Sequence, residues 1–475
     1  MSSSSDDLPS FLRQSQTGEL MMPDEPPRLI GRDVERLLIW ATKNGASDII
    51  VKTGDRIILK IHGNERRVSR RALTHAEVLD IIVHMFGAES PKAILSGDKD
   101  LDLSYELRPD RVSRYRFRVN ATPVTVEAGA GVDITIRTID SRPPPLESLR
   151  VESEIIANMA PHQGMIVVSG ATGSGKSTLL ASIIRKLVEE PEGNRRVLTY
   201  ERPIEFVYDE IEMPTSDVSQ TEIGKNLKSF VDGTRNALRR APQIILVGES
   251  RDAETIGEAV TASMTGHCLY TTVHANGFAD TIRRMINVFP ESEKNARAVD
   301  IVTSLRMVIA QRLVRGKDGK RVALREYVIM NDEIVDQILD GGVDNITVTC
   351  RQILKNHGRS FLKDAMDKFR EGRIDERVLK EIARGAKGEE IDAAQQILRS
   401  HHRLSQLVVD APLGLGVTKL PSLDEAGPLL HAPDSLETSD ILAEALQETH
   451  APAPPASKSP APPSSAPDSA PEETP

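Results

Sequence analysis

Apolar residues follow two different periods in the first third of the chain. They recur at helical intervals over 34–41 and again over 78–86, where Thr74 and Glu77 form a capping box ahead of the second helix. Residues 28–142 are therefore predicted to form a small α+β domain. Its strand-like runs occupy 47–52, 56–61, 101–107, 114–120 and 134–139.

Strands alternate with amphipathic helices from Val151 onward, which predicts a mostly parallel sheet covered by helices on both faces. The first strand ends before Gly170, the second covers 196–200 and the third covers 243–247. Closing helices are expected within 359–383. We assign 153–388 to this α/β domain, 143–152 to a proline-stiffened linker and 389–410 to a further helix.

Composition changes at both ends of the chain. Residues 1–27 are rich in Ser, Asp and Pro, and 411–475 are rich in Pro and Ala. The second stretch holds ten carboxylates against two lysines, so it accounts for most of the net charge of -10. Such compositions bury too little apolar surface to order themselves. The sequence predicts a disordered lead and a disordered acidic tail, with a partner-binding helix at 441–446 as the alternative for part of the tail.

The rest of the chain is nearly neutral, so its charge neither demands nor excludes a nucleic-acid-binding surface. The two cysteines, Cys268 and Cys350, form no CxxC pattern, which favours a reducing compartment and argues against a zinc module. No secretory signal and no apolar stretch of membrane-spanning length is recognisable. We expect a cytoplasmic protein without membrane insertion.

A glycine-rich turn joins the first strand of the α/β domain to an amphipathic helix. Its sequence is Gly170-Ala171-Thr172-Gly173-Ser174-Gly175-Lys176-Ser177-Thr178. The glycines permit a tight turn that brings backbone N–H groups against phosphate oxygens, Lys176 supplies a positive charge, and the Ser177 hydroxyl is placed to ligate Mg²⁺. The helix dipole points at the same anion. The stretch predicts a P-loop that binds a nucleotide with Mg²⁺, but it does not say how the nucleotide is used.

Acidic and histidine side chains follow the later strands. Glu201 and Glu205 come after the second strand, at the carboxyl edge where open α/β sheets bind ligands. Glu249 follows the third strand past a glycine, a Walker B arrangement in which it orients or deprotonates the attacking water. His267 and His274 lie near a further strand. Three roles are open for these histidines: phosphate sensing, packing in the core and metal ligation. No third ligand accompanies them at zinc-like spacing.

Arginines alternate with apolar residues in one strand of the first domain. Arg114, Arg116 and Arg118 are predicted on one face, and Tyr115, Phe117 and Val119 on the other. The pattern fits an ordinary solvated strand face as well as a functional one. The glycines and the aromatic spacing of an RNA-recognition sheet are missing.

The P-loop, the acidic box formed by Glu201 and Glu205, the Walker B segment and the histidine pair occur in this order. Together they resemble the type II/type IV secretion ATPase superfamily, the PilT/GspE/VirB11-like hexameric motors. The resemblance covers 28–388. Within the superfamily, the arginine strand and the region 199–210 look most like DotB and the plasmid-transfer TraJ proteins. The tetracysteine insertion of the GspE and PilB branches is missing, which favours the PilT-like side.

The resemblance implies an α/β fold in which a RecA-like ATPase domain follows a PAS-like domain. It implies ATP hydrolysis, a homohexamer, and recruitment to the cytoplasmic side of an inner-membrane secretion complex through another ATPase, without direct nucleic-acid contact. Arg116, Arg118 and Arg137 are implied to reach the γ-phosphate and to report domain closure. Arg202 stands where related acidic boxes usually carry an acid.

The sequence thus predicts a hexameric ATP-hydrolysing motor that energises type IV secretion or conjugative transfer. In this interpretation Glu249 activates water, Glu201 and Glu205 order the metal shell, and the two histidines sense the state of the nucleotide. A pilus-retraction ATPase of the same fold is the nearest alternative. A RecA-type nucleic-acid motor and a nucleotide-dependent scaffold that hydrolyses little are alternatives from other classes.

Overall fold

The computed structural model describes residues 20–61, 63–97, 99–111, 113–127, 129–139, 142–385 and 389–409. The predicted tail and the lead before residue 20 lie outside these ranges. The chain divides into two compact units, one ending at Ala365 and the other beginning at Met366. Along the described parts, no helix is both long and apolar enough to cross a lipid bilayer.

The first domain is a six-stranded antiparallel sheet with three helices. The strands are β1 (Ala46–Lys52), β2 (Ile58–Ile61), β3 (Asn64–Arg67), β4 (Leu101–Leu107), β5 (Tyr115–Val126) and β6 (Gly129–Ile139), and the helices are α1 (Gly31–Lys43), α2 (His75–Phe86) and α3 (Ser90–Ser96). The strands lie in the order β3-β2-β1-β6-β5-β4, and apolar side chains of sheet and helices form one core. The predicted α+β domain is confirmed. Strand β3 was not predicted, because all four of its residues are exposed and carry no apolar alternation.

Strands β5 and β6 pair as far as Val126 and Gly129, well past the predicted end of the strand. Their ladder of hydrogen bonds continues through 121–126, where polar residues and a proline interrupt the alternation that sequence patterns detect. The predicted alternation is confirmed nearer the start of β5. There Phe117 lies in the core, and Arg118 stands opposite Arg137 of β6.

Residues 20–27 pack on the first domain, which corrects the prediction that they belong to a disordered lead. Met22 is 5% exposed in the domain core, and its N–H donates to the Val68 carbonyl at 2.7 Å. The Glu25 carboxylate accepts a hydrogen bond from the Arg70 N–H at 2.7 Å. Composition underestimated the order of this segment, because one buried apolar side chain and one hydrogen-bonded carboxylate are enough to fix it.

Glu77 connects the segments at the start of this domain. The Thr74 hydroxyl accepts from the Glu77 N–H, and the Glu77 carboxylate accepts from the N–H groups of Thr74 and Leu29, both at 3.0 Å. The Arg71 guanidinium donates to both carboxylate oxygens at 2.7 and 3.0 Å. Burial alone would raise the pKa of Glu77, but the hydrogen bonds from Arg71 and the backbone outweigh it and lower the pKa to about 2. The predicted capping box is present as part of this larger network.

The second domain is a seven-stranded sheet enclosed by helices. Its strands are β7 (Gly164–Ser169), β8 (Arg196–Glu201), β9 (Asp217–Glu222), β10 (Ile244–Val247), β11 (Cys268–Val273), β12 (Leu305–Arg315) and β13 (Arg321–Ile329), and its helices are α4 (Ser153–Ala157), α5 (Lys176–Val188), α6 (Phe230–Ala237), α7 (Ala253–Met264), α8 (Phe278–Asn287), α9 (Lys294–Ser304), α10 (Asp332–Asp340) and α11 (Gly342–His357). The strand order is β13-β12-β7-β11-β10-β8-β9, with β13 antiparallel to β12 and all other neighbours parallel. The predicted mostly parallel sheet is confirmed.

Alternate residues of β7 serve two cores, one on each face of the sheet. Met165 and Val167 pack with α7, α8 and α9, whereas Ile166 and Val168 pack with α5. A parallel sheet covered on both faces needs such continuously apolar strands. The carboxyl ends of β7, β8, β10 and β11 consequently meet at one edge, and the segments that follow these strands build the site described next.

The boundary between the two units falls inside α12 (Phe361–Arg370), which the sequence analysis placed with α13 (Glu376–Ala383) among the closing helices of the α/β domain. In the second unit, the Asp375 carboxylate caps α13 by accepting from the N–H of Val378 at 2.9 Å. The predicted further helix is α14 (Glu389–Val409). The ring of His401 in α14 lies 4.9 Å from that of Phe369, centroid to centroid.

Replacing Glu77 by Gln is expected to destabilise the first domain, because Arg71 loses a charged partner in a buried position. Lowering the pKa from 4.5 to about 2 corresponds to roughly 3 kcal/mol of stability, which is present above pH 4.5 and lost as the pH falls through 2. Urea unfolding at pH 7, followed by the fluorescence of the single tryptophan, Trp40, measures the loss. Glu65→Gln on exposed β3 is the control. Equal urea midpoints for both variants would contradict this account of Glu77.

Candidate active site

The P-loop leaves β7 at Ser169 and enters α5 at Lys176, as predicted. Gly170, Gly173 and Gly175 have φ angles of +151°, +76° and +83°, in the region that favours glycine. A Cβ on Gly170 would lie 2.3 Å from a carbonyl oxygen of β12, so no larger residue fits there. Ala171 and Thr172 are exposed in the loop, and Ser177 and Thr178 lie in the first turn of α5. The loop and the start of the helix therefore lie where the motif predicted them.

Lys176 lies inside the loop and is only 8% exposed. Its ammonium donates to the carbonyl oxygens of Gly170 and Ala171 at 3.0 and 2.9 Å. Burial lowers the pKa of Lys176, while the negative charges of Glu249 and Glu205 oppose that change. In the described part of the chain, the buried Ser174 hydroxyl has no hydrogen-bond partner. A glycine cradle, a buried ammonium and a buried unpaired hydroxyl together suit a polyphosphate at the amino end of α5.

Glu249 follows β10 and is held by a guanidinium and an imidazole. One carboxylate oxygen lies 3.3 Å from Nε2 of His274, and the other accepts from Nε of Arg251 at 2.9 Å. The preceding turn is fixed to β11, since the Thr272 hydroxyl donates to the Gly248 carbonyl at 2.6 Å. The Walker B acid is therefore set beside the P-loop by hydrogen bonds between neighbouring strands. No role was predicted for Arg251 or Thr272, although two threonines in a fully buried strand are a detectable signal.

The structure brings His274 to the P-loop but leaves His267 elsewhere. His274 follows the carboxyl end of β11, where burial, and after it the charge of Lys176, lower its pKa. His267 precedes the same strand, with its ring nitrogen Nδ1 3.1 Å from the Ala262 carbonyl. A strand rises about 3.3 Å per residue, so the two rings are separated by roughly 20 Å. The structure thus corrects the prediction that both histidines share one site.

The acidic box closes the site from the side of β8. The Glu201 carboxylate accepts from the hydroxyl of Thr199 at 2.6 Å and from the side-chain amide of Gln220 at 3.2 Å. The residue is partly exposed, but protein atoms surround its carboxyl group, and this burial raises the pKa of Glu201 to about 7. Glu205 lies farther along the loop, 36% exposed, with an oxygen 3.7 Å from the Arg118 guanidinium. Both acids lie where the sequence predicted them, at the carboxyl edge of the sheet.

The arginine strand faces the acidic-box loop of the same chain. Arg116 is 3% exposed and donates from its two terminal nitrogens to the carbonyls of Ile204 and Glu205, both at 2.7 Å. Arg114 forms an ion pair with Asp209 at 2.7 Å. The alternative of a solvated strand face is therefore wrong for Arg114 and Arg116. Burial lowers the pKa of Arg116, and Glu106 opposes that change.

Arg118 and Arg137 are more accessible than Arg116. Arg118 pairs with Asp102 at 2.9 Å and keeps 38% of its side chain exposed, whereas Arg137 pairs with Asp48 at 2.8 Å and keeps 59% exposed. The two arginines are direct cross-strand neighbours on the face that meets the second domain. They form a cationic pair next to Glu205.

Glu222 of the second domain contacts Ser104 of the first, and the sequence did not predict this contact. Glu222 in β9 is 3% exposed, and its carboxylate accepts from the N–H of Ser104 at 3.1 Å and from the Ser104 hydroxyl at 2.5 Å. It also accepts from the Ile204 N–H at 3.4 Å. The polar edge strand that carries Glu222 shows no apolar pattern, so sequence alone offered no signal for its position.

Comparison with known proteins assigns this arrangement to a family. The sequence profile described as Type II/IV secretion system protein matches residues 25–400. The chain belongs to this family. The crystal structure of the Legionella pneumophila ATPase DotB is 45% identical, with a TM-score of 0.73, and the match covers 78% of this chain and 100% of DotB.

Two pilus proteins of the family are also similar. The type IV pilus retraction ATPase PilT of Pseudomonas aeruginosa is 36% identical over 298 residues, which is 62% of this chain and 82% of that protein. A crystal structure of the pilus retraction motor PilT with bound ADP is 27% identical, with a TM-score of 0.60, and the match covers 74% of this chain and 96% of that one. This member of the family therefore has the predicted α/β fold class, with a RecA-like P-loop domain after a small α+β domain.

Glu201 makes the stability of this family ATPase depend on pH. Because its folded pKa is raised from 4.5 to about 7, its contribution to stability is full below pH 4.5 and is lost as the pH rises to 7. Glu201→Gln should therefore gain stability relative to the native protein across this range, by up to roughly 3 kcal/mol. Urea unfolding of the nucleotide-free protein at pH 5, 6, 7 and 8 checks this, with exposed Glu212→Gln as control. A difference that does not vary with pH would contradict the raised pKa.

Proposed function

We propose that the protein is a hexameric ATP-hydrolysing motor that energises a type IV secretion or conjugative transfer system of the Dot/Icm kind. The observation that carries the proposal is the meeting of Lys176, Glu249 and His274 at one sheet edge, in a chain that matches DotB over that protein's whole length. The first two are the charge and the acid that phosphoryl transfer to water requires. The similarity to DotB supplies the choice of secretion system.

The residues of the P-loop fit ATP with Mg²⁺. Bound ATP supplies an electrophilic γ-phosphorus, and Mg²⁺ neutralises charge that develops on the phosphate oxygens. Ser177 would hold Mg²⁺, and Lys176 would turn from the loop carbonyls to phosphate oxygens. Glu201 and Glu205 would order the water molecules around the ion, since Mg²⁺ usually keeps several waters as ligands. Among the described residues no cluster of three or more acidic, histidine or cysteine side chains offers a metal site.

Glu249 is the group that activates water in this proposal. Its carboxylate accepts the proton of a water molecule lying beside the P-loop, and Arg251 and His274 hold it in orientation through the contacts at 2.9 and 3.3 Å. Because the pKa of His274 is lowered, its ring is neutral at physiological pH. It therefore senses phosphate as a neutral hydrogen-bonding group. His267, at the other end of β11, takes no part in this step.

The arginines divide into two roles. Arg116 is enclosed by its own chain, so it holds the acidic-box loop in place in cis. Arg118 and Arg137, the more accessible pair, reach the γ-phosphate when the domains close. Six chains form a ring in which this closure does mechanical work, and the ring is recruited from the cytoplasm to an inner-membrane secretion complex through another ATPase. No direct contact with nucleic acid is part of the proposal.

Glu249→Gln is expected to bind ATP as the native protein does and to lower kcat by about 10²–10⁴-fold, because water loses its proton acceptor. Steady-state phosphate release and equilibrium ATP binding measure the two effects separately. Glu254→Gln, an exposed acid on α7, is the control. Mass photometry of Glu249→Gln with ATP should show six-subunit particles. Normal turnover by Glu249→Gln would refute the assigned role, and monomers at all protein and ATP concentrations would refute the ring.

A pilus-retraction motor is the second candidate, favoured by the 36% identity to PilT. The two functions differ in the process that stops when the motor fails. We expect that deleting the gene from its native host abolishes plasmid transfer or protein translocation and leaves twitching motility intact. The native gene should restore the lost process, and Glu249→Gln should not. Loss of twitching with normal transfer and translocation would replace the secretion proposal by pilus retraction.

A further inference from the structure

A fully buried arginine lies beneath the P-loop and has no role in the chemistry described above. Arg325 is 1% exposed in β13, directly opposite Gln311 of β12. Its Nε donates to the side-chain oxygen of Gln311 at 2.8 Å. A buried guanidinium is costly unless its donors are satisfied, so its surroundings must be specific.

Gln311 connects Arg325 to the P-loop by a second hydrogen bond. Its side-chain nitrogen donates to the backbone carbonyl of Ser174 at 2.8 Å. The same nitrogen would lie 2.9 Å from a Cβ on Gly175, and the Gln311 carbonyl would lie 2.3 Å from a Cβ on Gly170. Gln311 is therefore packed against two of the glycines that shape the phosphate cradle. A displacement of this side chain must move the loop.

The other end of the Arg325 guanidinium meets the linker between the domains. One terminal nitrogen lies 3.0 and 3.3 Å from the carboxylate oxygens of Glu152 and 3.3 Å from the Arg150 carbonyl. The second terminal nitrogen donates to the Leu149 carbonyl at 3.3 Å. Four hydrogen bonds to three linker residues thus tie the linker to β13. None of the atoms involved belongs to the catalytic acids or the histidine.

Arg325 is itself held from the backbone side. Its N–H donates to the Asp364 carboxylate at 2.8 Å, and the second oxygen of that carboxylate lies 3.1 Å from Nε of Arg359. With its backbone anchored, the guanidinium has little freedom to follow either the linker or the loop alone.

We propose that Arg325 is a positioning residue that couples the interdomain linker to the phosphate-binding loop through Gln311. Nucleotide binding settles the P-loop, the Gln311 side chain follows the Ser174 carbonyl, and Arg325 carries this change to Glu152 and the neighbouring linker carbonyls. In reverse, a linker that moves with the first domain alters the cradle. The coupling is reciprocal, as every coupling between two binding equilibria must be.

Gln311→Glu tests the loop end of this connection. The new carboxylate still pairs with Arg325, but it has no N–H for the Ser174 carbonyl and brings a negative oxygen towards it. We expect the affinity of the full chain for mant-ADP to fall at least about tenfold, equivalent to about 1.4 kcal/mol, while the thermal midpoint changes little. Arg321→Lys, an exposed substitution at the start of the neighbouring strand β13, is the control and should bind as the native protein does.

Glu152→Gln tests the linker end. Hydrogen exchange of the linker amides at 146–152 is followed with and without saturating mant-ADP. In the native protein and in Arg321→Lys, the nucleotide should slow this exchange at least about threefold, whereas in Glu152→Gln and Gln311→Glu the response should be lost. A residue that only supports the fold would shift the thermal midpoint and leave the nucleotide response intact.

Three results would overturn the proposal. They are mant-ADP binding by Gln311→Glu within twofold of the native protein, linker exchange in Glu152→Gln that responds normally to nucleotide, and native linker exchange that ignores nucleotide altogether. If Gln311→Glu does not fold, the exchange response of Glu152→Gln decides by itself, because that substitution leaves the contacts of the P-loop in place.

Discussion

Lys176 carries a positive charge into the protein at the carboxyl edge of a parallel sheet, and the arrangement of the site compensates that charge. P-loop carbonyls surround the ammonium, while Glu205 and Glu249 act on it from the ends of two other strands. A buried ammonium without such partners would be strongly unfavourable. The segments that follow β7, β8 and β10 must therefore begin close together. They do so because these parallel strands end at the same edge of the sheet.

The same requirement governs the contact between the two domains. Arg116 and Glu222 are charged and nearly fully buried, and each is satisfied by groups from the opposite domain. Hydrogen bonds to charged groups are stronger than neutral ones and depend on geometry. The acidic-box loop consequently belongs to both domains, since the first domain holds its backbone and the charge of its Glu205 acts on Lys176 in the second. Any rotation of the first domain must break these bonds or carry the loop with it.

Features that depend on neighbours in the chain were predictable from sequence. The Thr74 and Glu77 capping box, the P-loop and the helix over 389–409 follow from local geometry, and the structure contains all three. The alternation of Arg116 and Phe117 was also correct, because successive side chains of a strand point to opposite faces. The disordered lead before α1 was predicted to extend too far along the chain, because average composition does not reveal a single buried apolar side chain such as Met22.

Sequence by itself determined which residue types could perform phosphoryl transfer and on which side of each strand they stand. Tertiary structure alone decided which of them meet: it joined His274 to Glu249 and Lys176, left His267 at the far end of β11, and put Gln220, Glu222 and Gln311 in contact with the site. The reason is physical. Side-chain alternation and turn geometry are set within a few residues, whereas burial and charge pairing depend on strand order and on contacts between segments far apart in the chain.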